Sequence, residues 1–214
     1  MGRLIRMTAM LVAMMSLWLA AAAQETVGEI AKVNGIAKLE RGGKDFEVTL
    51  AMPLAIGDQL RTSANTEVSV TFKDGSRLEL GESTSCTIDQ YAITGSRRTK
   101  GLVALWGGHL RSIVKVLGGD APNFEVHTPN AVAAVRGTEF ETAFIDGRPC
   151  PEDRSCMRYT TVGVSKGVVA VSNPSNSAPP VEVGEGYETT VACASAATSP
   201  APLGMQGMGA PGYH

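Results

Sequence analysis

Apolar and polar residues alternate in short runs over most of this 214-residue chain, and helical periodicity is hard to find after residue 24. A period of two is typical of a strand that buries one face. Such runs include "EVSVTF", "TEFETAF", "TVGVSKGVVAV" and "VEVGEGYETTV", and turns rich in Gly, Asn and Asp separate them. Many short strands divided by turns predict an all-β domain, built as a β-sandwich, a roll or a solenoid-like stack.

The first turn to consider is Asn34-Gly35, which lies between two strand-like runs. Asn-Gly tolerates the positive φ angles of a type I′ turn, so it is a strong short-range hairpin signal. The sequence therefore predicts a tight hairpin in which Val33 faces Ile36.

The second turn surrounds Asp74-Gly75. A two-residue turn would set Val70 opposite Glu79, whereas a three-residue loop that starts at Lys73 sets Val70 opposite Leu78. Because only the second register keeps one face apolar, it predicts the three-residue loop, with Gly75 in the left-handed region.

The two ends of the chain differ in composition from the middle. Arg3 and Arg6 precede an apolar run and an Ala-rich exit, which predicts a cleaved secretory signal over residues 1–23. No second long apolar segment follows, so no transmembrane helix is expected after the signal. Residues 195–214 hold no charged side chain and predict a disordered tail. The expected domain therefore spans residues 24–194 of a periplasmic or secreted protein.

Export changes the interpretation of the four cysteines, because an even number in an oxidising compartment suggests disulfides. Cys150 and Cys156 flank the polar segment "PEDRS", and their closeness predicts a local bond that closes a loop at about residues 146–158. That pairing leaves Cys86 with Cys193. Four cysteines allow three connectivities, and spacing alone does not exclude the other two.

The charged side chains point to no cofactor and no nucleic acid. The chain carries 19 basic and 21 acidic side chains, so it lacks the basic balance of a nucleic-acid-binding protein. The densest basic cluster, "SRRTKG" around Arg98, reads as a solvated loop. His109 and His127 lack metal-ligand spacing, and no serine lies in a G-x-S-x-G elbow. We therefore expect neither a metal site nor an enzyme.

One segment, "HTPNAVAAVRGTEFETAF", breaks the alternation at Arg136-Gly137-Thr138. Glycine inside a strand pattern marks a bulge or a close approach of two backbones. A bulge would turn Arg136 towards a partner, because its planar fork suits a carboxylate or several carbonyls. Arg136 is then either an internal latch of the fold or a binding anchor.

Five segments together resemble a known family. In order they are "GEIAKVNGIAKLE", "LAIGDQLRT", "VSVTFKDGSRLELGESTSCTID", "GLVALWGGHLRSIV" and "FEVHTPNAVAAVRGTEFE". This series resembles the periplasmic FecR-type domain across roughly Val27 to Phe144. The last segment is similar to the family's most characteristic signature, which is matched by Thr128, Pro129, Arg136, Gly137, Thr138 and Phe140.

The resemblance implies an all-β periplasmic module that works through protein contacts and has no chemistry of its own. The best-known members relay a signal from an outer-membrane receptor to a sigma factor, through a cytoplasmic segment and a transmembrane helix that precede the domain. A predicted cleaved signal replaces both here, so direct regulation of a cytoplasmic sigma factor is not expected. We expect an exported module that binds an envelope protein or a cell-surface polymer. The alternatives are an adhesive surface component and an envelope hydrolase.

Overall fold

The computed structural model describes residues 25–119 and 121–204, so the predicted signal and the last ten residues lie outside it. The described residues form 17 strands and no helix. The strands are β1 (Thr26–Asn34), β2 (Ala37–Arg41), β3 (Lys44–Glu47), β4 (Pro53–Ala55), β5 (Gln59–Thr62), β6 (Glu67–Phe72), β7 (Arg77–Leu80), β8 (Ser85–Thr94), β9 (Arg97–Ile113), β10 (Phe124–His127), β11 (Val132–Val135), β12 (Glu139–Asp146), β13 (Arg158–Lys166), β14 (Val168–Ser172), β15 (Val181–Gly184), β16 (Tyr187–Ala192) and β17 (Ala201–Pro202).

Strand pairing divides the sheet into two layers that share β9. Layer A runs in the order β4-β1-β6-β7-β9-β12-β13-β16-β17, and all of its pairs are antiparallel. Layer B runs β3-β2-β5-β8-β9-β10-β11-β14-β15, and its one parallel pair is β9 with β10. In both layers the earlier strands lie on one side of β9 and the later strands on the other. Strand β9 is therefore the spine of the fold.

Strand β9 changes layer at Gly107-Gly108. Residues 97–107 pair with β8 in layer B, and Gly108–Ile113 pair with β12 and β7 in layer A. Gly108 has a φ of 86°, and a Cβ there would lie 2.6 Å from the Cα of Thr84. Only glycine meets both demands.

The inward-facing side chains of both layers form one continuous core. In β6, for example, Val68, Val70 and Phe72 are at most 2% exposed, while the residues between them reach the surface. Burying each such side chain contributes about 1.5–3 kcal/mol. The expected all-β class is confirmed, and of the three architectures that the sequence left open, two layers around one core correspond to the sandwich.

The two predicted hairpins have opposite outcomes. Val70 pairs with Leu78, and Gly75 has a φ of 78°, which confirms the three-residue loop. The Asn34-Gly35 hairpin is wrong, because β1 pairs with β4 and β6 in layer A while β2 pairs with β3 and β5 in layer B. The Asn34-Gly35 turn carries the chain from layer A to layer B, so β1 and β2 do not pair with each other.

The largest fully buried side chain belongs to Arg98, at 1% exposure. The expectation of a solvated basic loop is therefore wrong for this residue. Its Nη1 donates to a carboxylate oxygen of Asp74, whose side chain is also fully buried, and to Ser76 Oγ at 3.0 Å. Both partners lie in the β6–β7 hairpin loop or at its edge. The guanidinium thus ties β9 to the N-terminal half of the sandwich.

The remaining donors of Arg98 reach the C-terminal half. Nε and Nη2 donate to Asn123 Oδ1 at 3.1 and 2.9 Å, and Nη2 also donates to the carbonyls of Lys115 and Arg136 at 2.9 and 3.4 Å. The cation lies 5.4 Å from the ring centre of Phe124. Every guanidinium nitrogen has an acceptor, which is the condition under which a charge can be buried.

The cysteine pairing differs from the prediction. Cys156 bonds to Cys193 across 37 residues, and Cys86 and Cys150 are free and buried. The β13–β16 pairing places Cys193 beside Arg158, whose carbonyl accepts its N–H at 2.9 Å. Pairing between distant strands brings these cysteines together, so spacing along the chain could not show it. Cys150 packs against Cys156 without bonding to it.

The predicted disordered tail is wrong over its first residues. Ala201–Pro202 form β17 and pair with Tyr187 and Glu188 of β16. Thr198 also donates its N–H to the carbonyl of Thr190 at 2.9 Å. The backbone of a chain segment without charge can still extend a sheet edge. Residues 205–214 lie outside the described part of the chain.

Peptide mapping without reduction checks the disulfide. Trypsin cuts after Arg154, between Cys150 and Cys156, so each cysteine falls in its own peptide. We expect one linked pair, Cys156 with Cys193. Iodoacetamide should leave Cys86 unmodified in the native protein, because burial raises the pKa of its thiol to about 12, and should modify it in denaturant. A linked peptide containing Cys150 with Cys156, or Cys86 with Cys193, would contradict the structure.

Chemical denaturation checks the buried ion pair. We expect Arg98→Met to lower the free energy of unfolding by about 3–5 kcal/mol, because it leaves the Asp74 carboxylate buried without its partner. Arg97→Met is the matched control, since Arg97 is exposed, and should change stability by about 0.5 kcal/mol or less. The double variant Arg98→Met/Asp74→Asn should recover part of the loss. Equal losses at Arg97 and Arg98 would show that the buried pair does not hold the fold.

Candidate functional site

The signature residues lie at the two ends of the β10–β11 hairpin. Thr128 and Asn130 form its turn and are buried, while Pro129 is exposed. The Thr128 and Thr160 hydroxyls lie 2.8 Å apart, and Thr160 donates to Asn130 Oδ1 at 2.7 Å. Asn130 Nδ2 donates to the Val191 carbonyl at 2.7 Å. This buried polar cluster connects layer B to β13 and β16 of layer A.

Arg136 and Gly137 form the bend through which the chain leaves β11 in layer B and enters β12 in layer A. The predicted bulge is not at this bend. The register of β12 against β13 shifts after the bend, between Glu139 and Phe140. The close backbone approach is present, because a Cβ on Gly137 would lie 3.0 Å from the backbone N and Cα of Val116. Alternation breaks here because the strand ends and the chain changes layer.

Two further signature side chains, Thr138 and Phe140, face inward. Thr138 donates its hydroxyl to the Val168 carbonyl at 3.1 Å, and Phe140 is fully buried in the core. Arg136 itself is exposed, and its carbonyl accepts from Arg98. Four of the six signature residues are therefore explained by the buried turn, the close approach and core packing, while Pro129 lies exposed in the turn. Arg136 keeps its two interpretations, latch or anchor.

The outer surface of layer A carries charges that pair with one another. Arg111 contacts Glu79 and Glu139, and His109 Nε2 lies 3.3 Å from Glu141 Oε2. The hydrogen bond from His109 lowers the pKa of Glu141. Because the pKa of Glu141 is lower in the folded protein, its contact stabilises the fold at pH values above the ordinary carboxyl pKa. This contribution is lost as the pH falls through the lowered pKa. His109 and Glu141 are both about one third exposed, so this pair lies at the solvent side of layer A.

The outer surface of layer B carries a row of polar side chains across neighbouring strands. Gln59 of β5 donates to Ser85 Oγ of β8 at 3.1 Å. Arg61 donates to Gln59 Oε1 at 3.2 Å and to Glu40 at 2.6 Å. These residues alternate with buried core residues, so their side chains face solvent. The row crosses three neighbouring strands of layer B, β2, β5 and β8.

Trp106 stands at the end of this row, on the central strand β9. Ser85 of β8 pairs with Gly107 and Cys86 pairs with Leu105, so Trp106 has no partner on β8 and forms a bulge. Its side chain is 53% exposed. Its Nε1–H donates to Thr87 Oγ1 at 3.0 Å. Because the bond holds the indole against the sheet while much of the ring stays exposed, Trp106 offers a fixed aromatic surface.

Acidic side chains lie on the same outer surface nearer the start of β9, where Glu125 of β10 pairs with Leu102. Ala104, two residues before Trp106, pairs with Thr87 of β8 and with His127 of β10. His127 Nε2 lies 2.6 Å from Glu125 Oε2. Burial raises the pKa of Asp89, and the charge of His127 opposes that rise. We call this surface the Trp106 face: Gln59, Ser85, Thr87, Asp89, Trp106, Glu125 and His127.

The sequence did not single out Trp106 or Arg98. Trp106 lies in the run "LVALW", whose apolar character predicts burial on both faces. The next two residues, Gly107-Gly108, indicated a bend in the strand, and the exposed side chain of Trp106 lies directly before that bend. No sequence signal pairs Arg98 with Asp74.

Two further searches were confined to residues 25–119 and 121–204. They contain no cluster of three or more His, Cys, Asp and Glu side chains that could hold a metal ion. They also contain no helix that is long and apolar enough to cross a membrane.

Solved structures show the fold in another protein. Two crystal structures from Parabacteroides distasonis ATCC 8503, both described as a candidate anti-sigma factor, share 19% identity with this chain, with TM-scores of 0.50 and 0.49. Each comparison covers 67% of this chain and 59% of that protein, so this chain spans less than two thirds of its length. A cell surface anchoring domain matches 28% of this chain and 82% of its own length, at 22% identity and a TM-score of 0.28. Curated proteins give no significant match.

A family model identifies the chain more directly. The model described as FecR protein matches residues 58–170. It begins and ends later than the resemblance over Val27 to Phe144, and it includes the whole β10–β11 hairpin with its signature. Because the match spans more than half of the 214 residues, the protein belongs to the FecR family.

Proposed function

We propose that this protein is an exported, non-catalytic binding module of the cell envelope, which holds an envelope protein or a cell-surface polymer as part of signal sensing. The observation that carries the proposal is the exposed indole of Trp106, which a hydrogen bond to Thr87 holds beside the polar row on the outer surface of layer B. Aromatic rings that combine an apolar body with a polar tip are favoured at binding surfaces. Membership of the FecR family supports a signalling role.

Export is supported by the Cys156–Cys193 bond. Disulfides persist in the periplasm and outside the cell, whereas cytosolic reductants keep most thiols reduced. The basic and apolar N-terminal residues are the predicted targeting signal, and they lie outside the described residues. A non-catalytic role is supported by membership of the FecR family.

Direct contact with a cytoplasmic sigma factor is not part of the proposal. The two structural relatives are described as candidate anti-sigma factors, but this chain covers only 59% of their length. Their likeness, at 19% identity, concerns the fold of the shared part. A role in sensing outside the cytoplasm agrees with the disulfide and with the family.

Fractionation tests export. We expect the full chain, expressed in a Gram-negative host, to be found in the osmotic-shock fluid and to be shortened by its N-terminal signal. Mass spectrometry of the recovered protein should place the new N-terminus at Gln24. A charged residue inside the apolar run, as in Leu11→Arg, should trap the protein in the cytoplasm, because the signal needs an uninterrupted apolar region. Recovery of the uncut chain in the cytosol would contradict export.

Co-sedimentation with purified envelope fragments tests binding. We expect the wild-type protein to sediment with the fragments and Trp106→Ala to lose at least about tenfold in affinity, a change of about 1.4 kcal/mol. Tyr187→Ala is the matched control, because Tyr187 is an exposed aromatic residue of layer A, at 45% exposure. Arg136→Ala should also keep binding. Loss with Arg136→Ala alone would move the site to the bend between β11 and β12, and no sedimentation of the wild type would contradict the proposed function.

A further inference from the structure

We infer that three cysteines form a thiol–disulfide exchange site, in which the buried thiol of Cys150 displaces Cys193 from Cys156 and leaves Cys193 as an exposed thiol that reacts with external disulfides. This inference goes beyond the proposed binding role and does not use Trp106. The carrying observation is the packing of a free cysteine against a disulfide-bonded one. Cys150 is buried and packs against Cys156, which bonds to Cys193.

Backbone hydrogen bonds set Cys150 opposite Cys156 across the base of a short loop. The N–H of Cys150 donates to the carbonyl of Cys156 at 2.8 Å, and the N–H of Gly147 donates to that of Met157 at 2.8 Å. Standard bond lengths then keep the two cysteine Cα atoms within about 6.7 Å of each other. Disulfides form at Cα separations of about 4.4–6.8 Å, and the Cα atoms of Cys156 and Cys193 are 5.8 Å apart. Both pairings of Cys156 are therefore within reach.

The exchange step balances without an added oxidant. The thiolate of Cys150 attacks Cys156 Sγ, a bond between these two sulfurs forms, and the Cys156–Cys193 bond breaks. Cys193 leaves as a thiolate and takes up the proton that Cys150 lost. The cluster therefore holds one disulfide and one free thiol both before and after the step.

Solvent access decides which sulfur leaves. Cys156 is 3% exposed, so a thiolate that left from this position would lack water around its charge. Cys193 is exposed, so its thiolate is hydrated as it forms. Attack on Cys156 with departure of Cys193 is therefore favoured over attack on Cys193. The step moves the free thiol of the cluster from a buried to an exposed position.

The fold keeps Cys193 in place after its bond has opened. Its N–H donates to the Arg158 carbonyl at 2.9 Å, and Asn173 Nδ2 donates to its own carbonyl at 2.9 Å. The preceding residue, Ala192, pairs with Tyr159 of β13. Because these contacts do not depend on the disulfide, the end of β16 stays on the sheet, and Cys193 becomes a surface thiol of a folded protein.

A surface thiol reacts with disulfides from outside the chain. The thiolate of Cys193 attacks an external disulfide, forms a mixed disulfide with one of its sulfurs and releases the other as a thiol. Cys150 is buried, so it does not meet such a disulfide directly. The structure shows the Cys156–Cys193 bond, which is therefore the resting form. The exchanged form accumulates only when a reagent consumes its exposed thiol.

Alkylation of the native protein tests the exchange. The full chain is incubated with N-ethylmaleimide without reductant, digested with trypsin, and mapped for the labelled cysteine and the remaining bond. Without the reagent, the map should show the resting pair. With it, we expect label on Cys193 and a bond between Cys150 and Cys156, because alkylation consumes the Cys193 thiol and exchange replaces it.

Two results of this mapping would overturn the inference. One is label on Cys150 while the Cys156–Cys193 bond stays intact, which would show direct reaction of the buried thiol. The other is no label on Cys193 in the native protein over a time in which the denatured chain is labelled at its free cysteines.

Cysteine variants separate exchange from other routes to Cys193. Cys150→Ala should lower the rate of Cys193 labelling at least about tenfold, because the attacking thiol is missing. Cys86→Ala is the matched control, since it removes a buried thiol that lies in the main core between Leu60 and Leu105, and it should leave the rate unchanged. Circular dichroism and melting temperature should show that both variants fold. Equal labelling of Cys193 in folded Cys150→Ala would overturn the inference, and if this variant does not fold, the wild-type map decides alone.

Oxidised glutathione tests the class of substrate. We expect the native protein to gain one glutathione on Cys193, measured as a mass increase of the tryptic peptide that contains it, and to hold the Cys150–Cys156 bond. Folded Cys150→Ala should gain none, because its Cys193 stays bonded to Cys156. Alkylation of Cys193 without any glutathione adduct would overturn the assignment of external disulfides as the substrate.

Discussion

The buried ion pair between Arg98 and Asp74 is the interaction on which the two halves of the sandwich depend. The side chain of Arg98, at the start of β9, contacts the β6–β7 loop, the segment after β9 and the bend after β11. An arginine buried without partners would be strongly unfavourable, so its acceptors have to be in place together. The pair therefore links the correct docking of the N-terminal strands to that of the C-terminal strands.

The residues of the family signature form joints of the same sandwich, and one of them contacts the buried ion pair. Its first part forms the buried turn of Thr128 with Asn130, and its second part forms the bend at Gly137, where Val116 approaches closely. Both are points at which the chain passes between layers or ties one layer to the other. The carbonyl of Arg136 belongs to the Arg98 cluster, which connects the signature to the buried charge. A signature built from such joints describes how the sandwich is closed more than what it binds.

The surfaces then divide according to charge. Layer A presents ion pairs that satisfy one another, which contribute little to stability when exposed and offer little to a ligand. Layer B presents the same kind of polar row but interrupts it with the indole of Trp106. An aromatic ring held in place loses little conformational entropy on binding, so it is the more effective contact. Function on a fold that many proteins share lies in such local differences.

The sequence by itself determined the features that depend on neighbouring residues. Alternation showed the all-β class, the apolar faces of Val70 and Leu78 selected the three-residue loop, and Gly137 marked a close approach. Features that depend on distant strands were decided only by the tertiary structure. Long-range pairing of β13 with β16 brought Cys193 to Cys156, and the return of β9 along the second layer brought Asp74 and Asn123 to Arg98. The same charged side chain belongs in water or in a core depending on which acceptors the fold places around it, and local pattern carries no information about those acceptors.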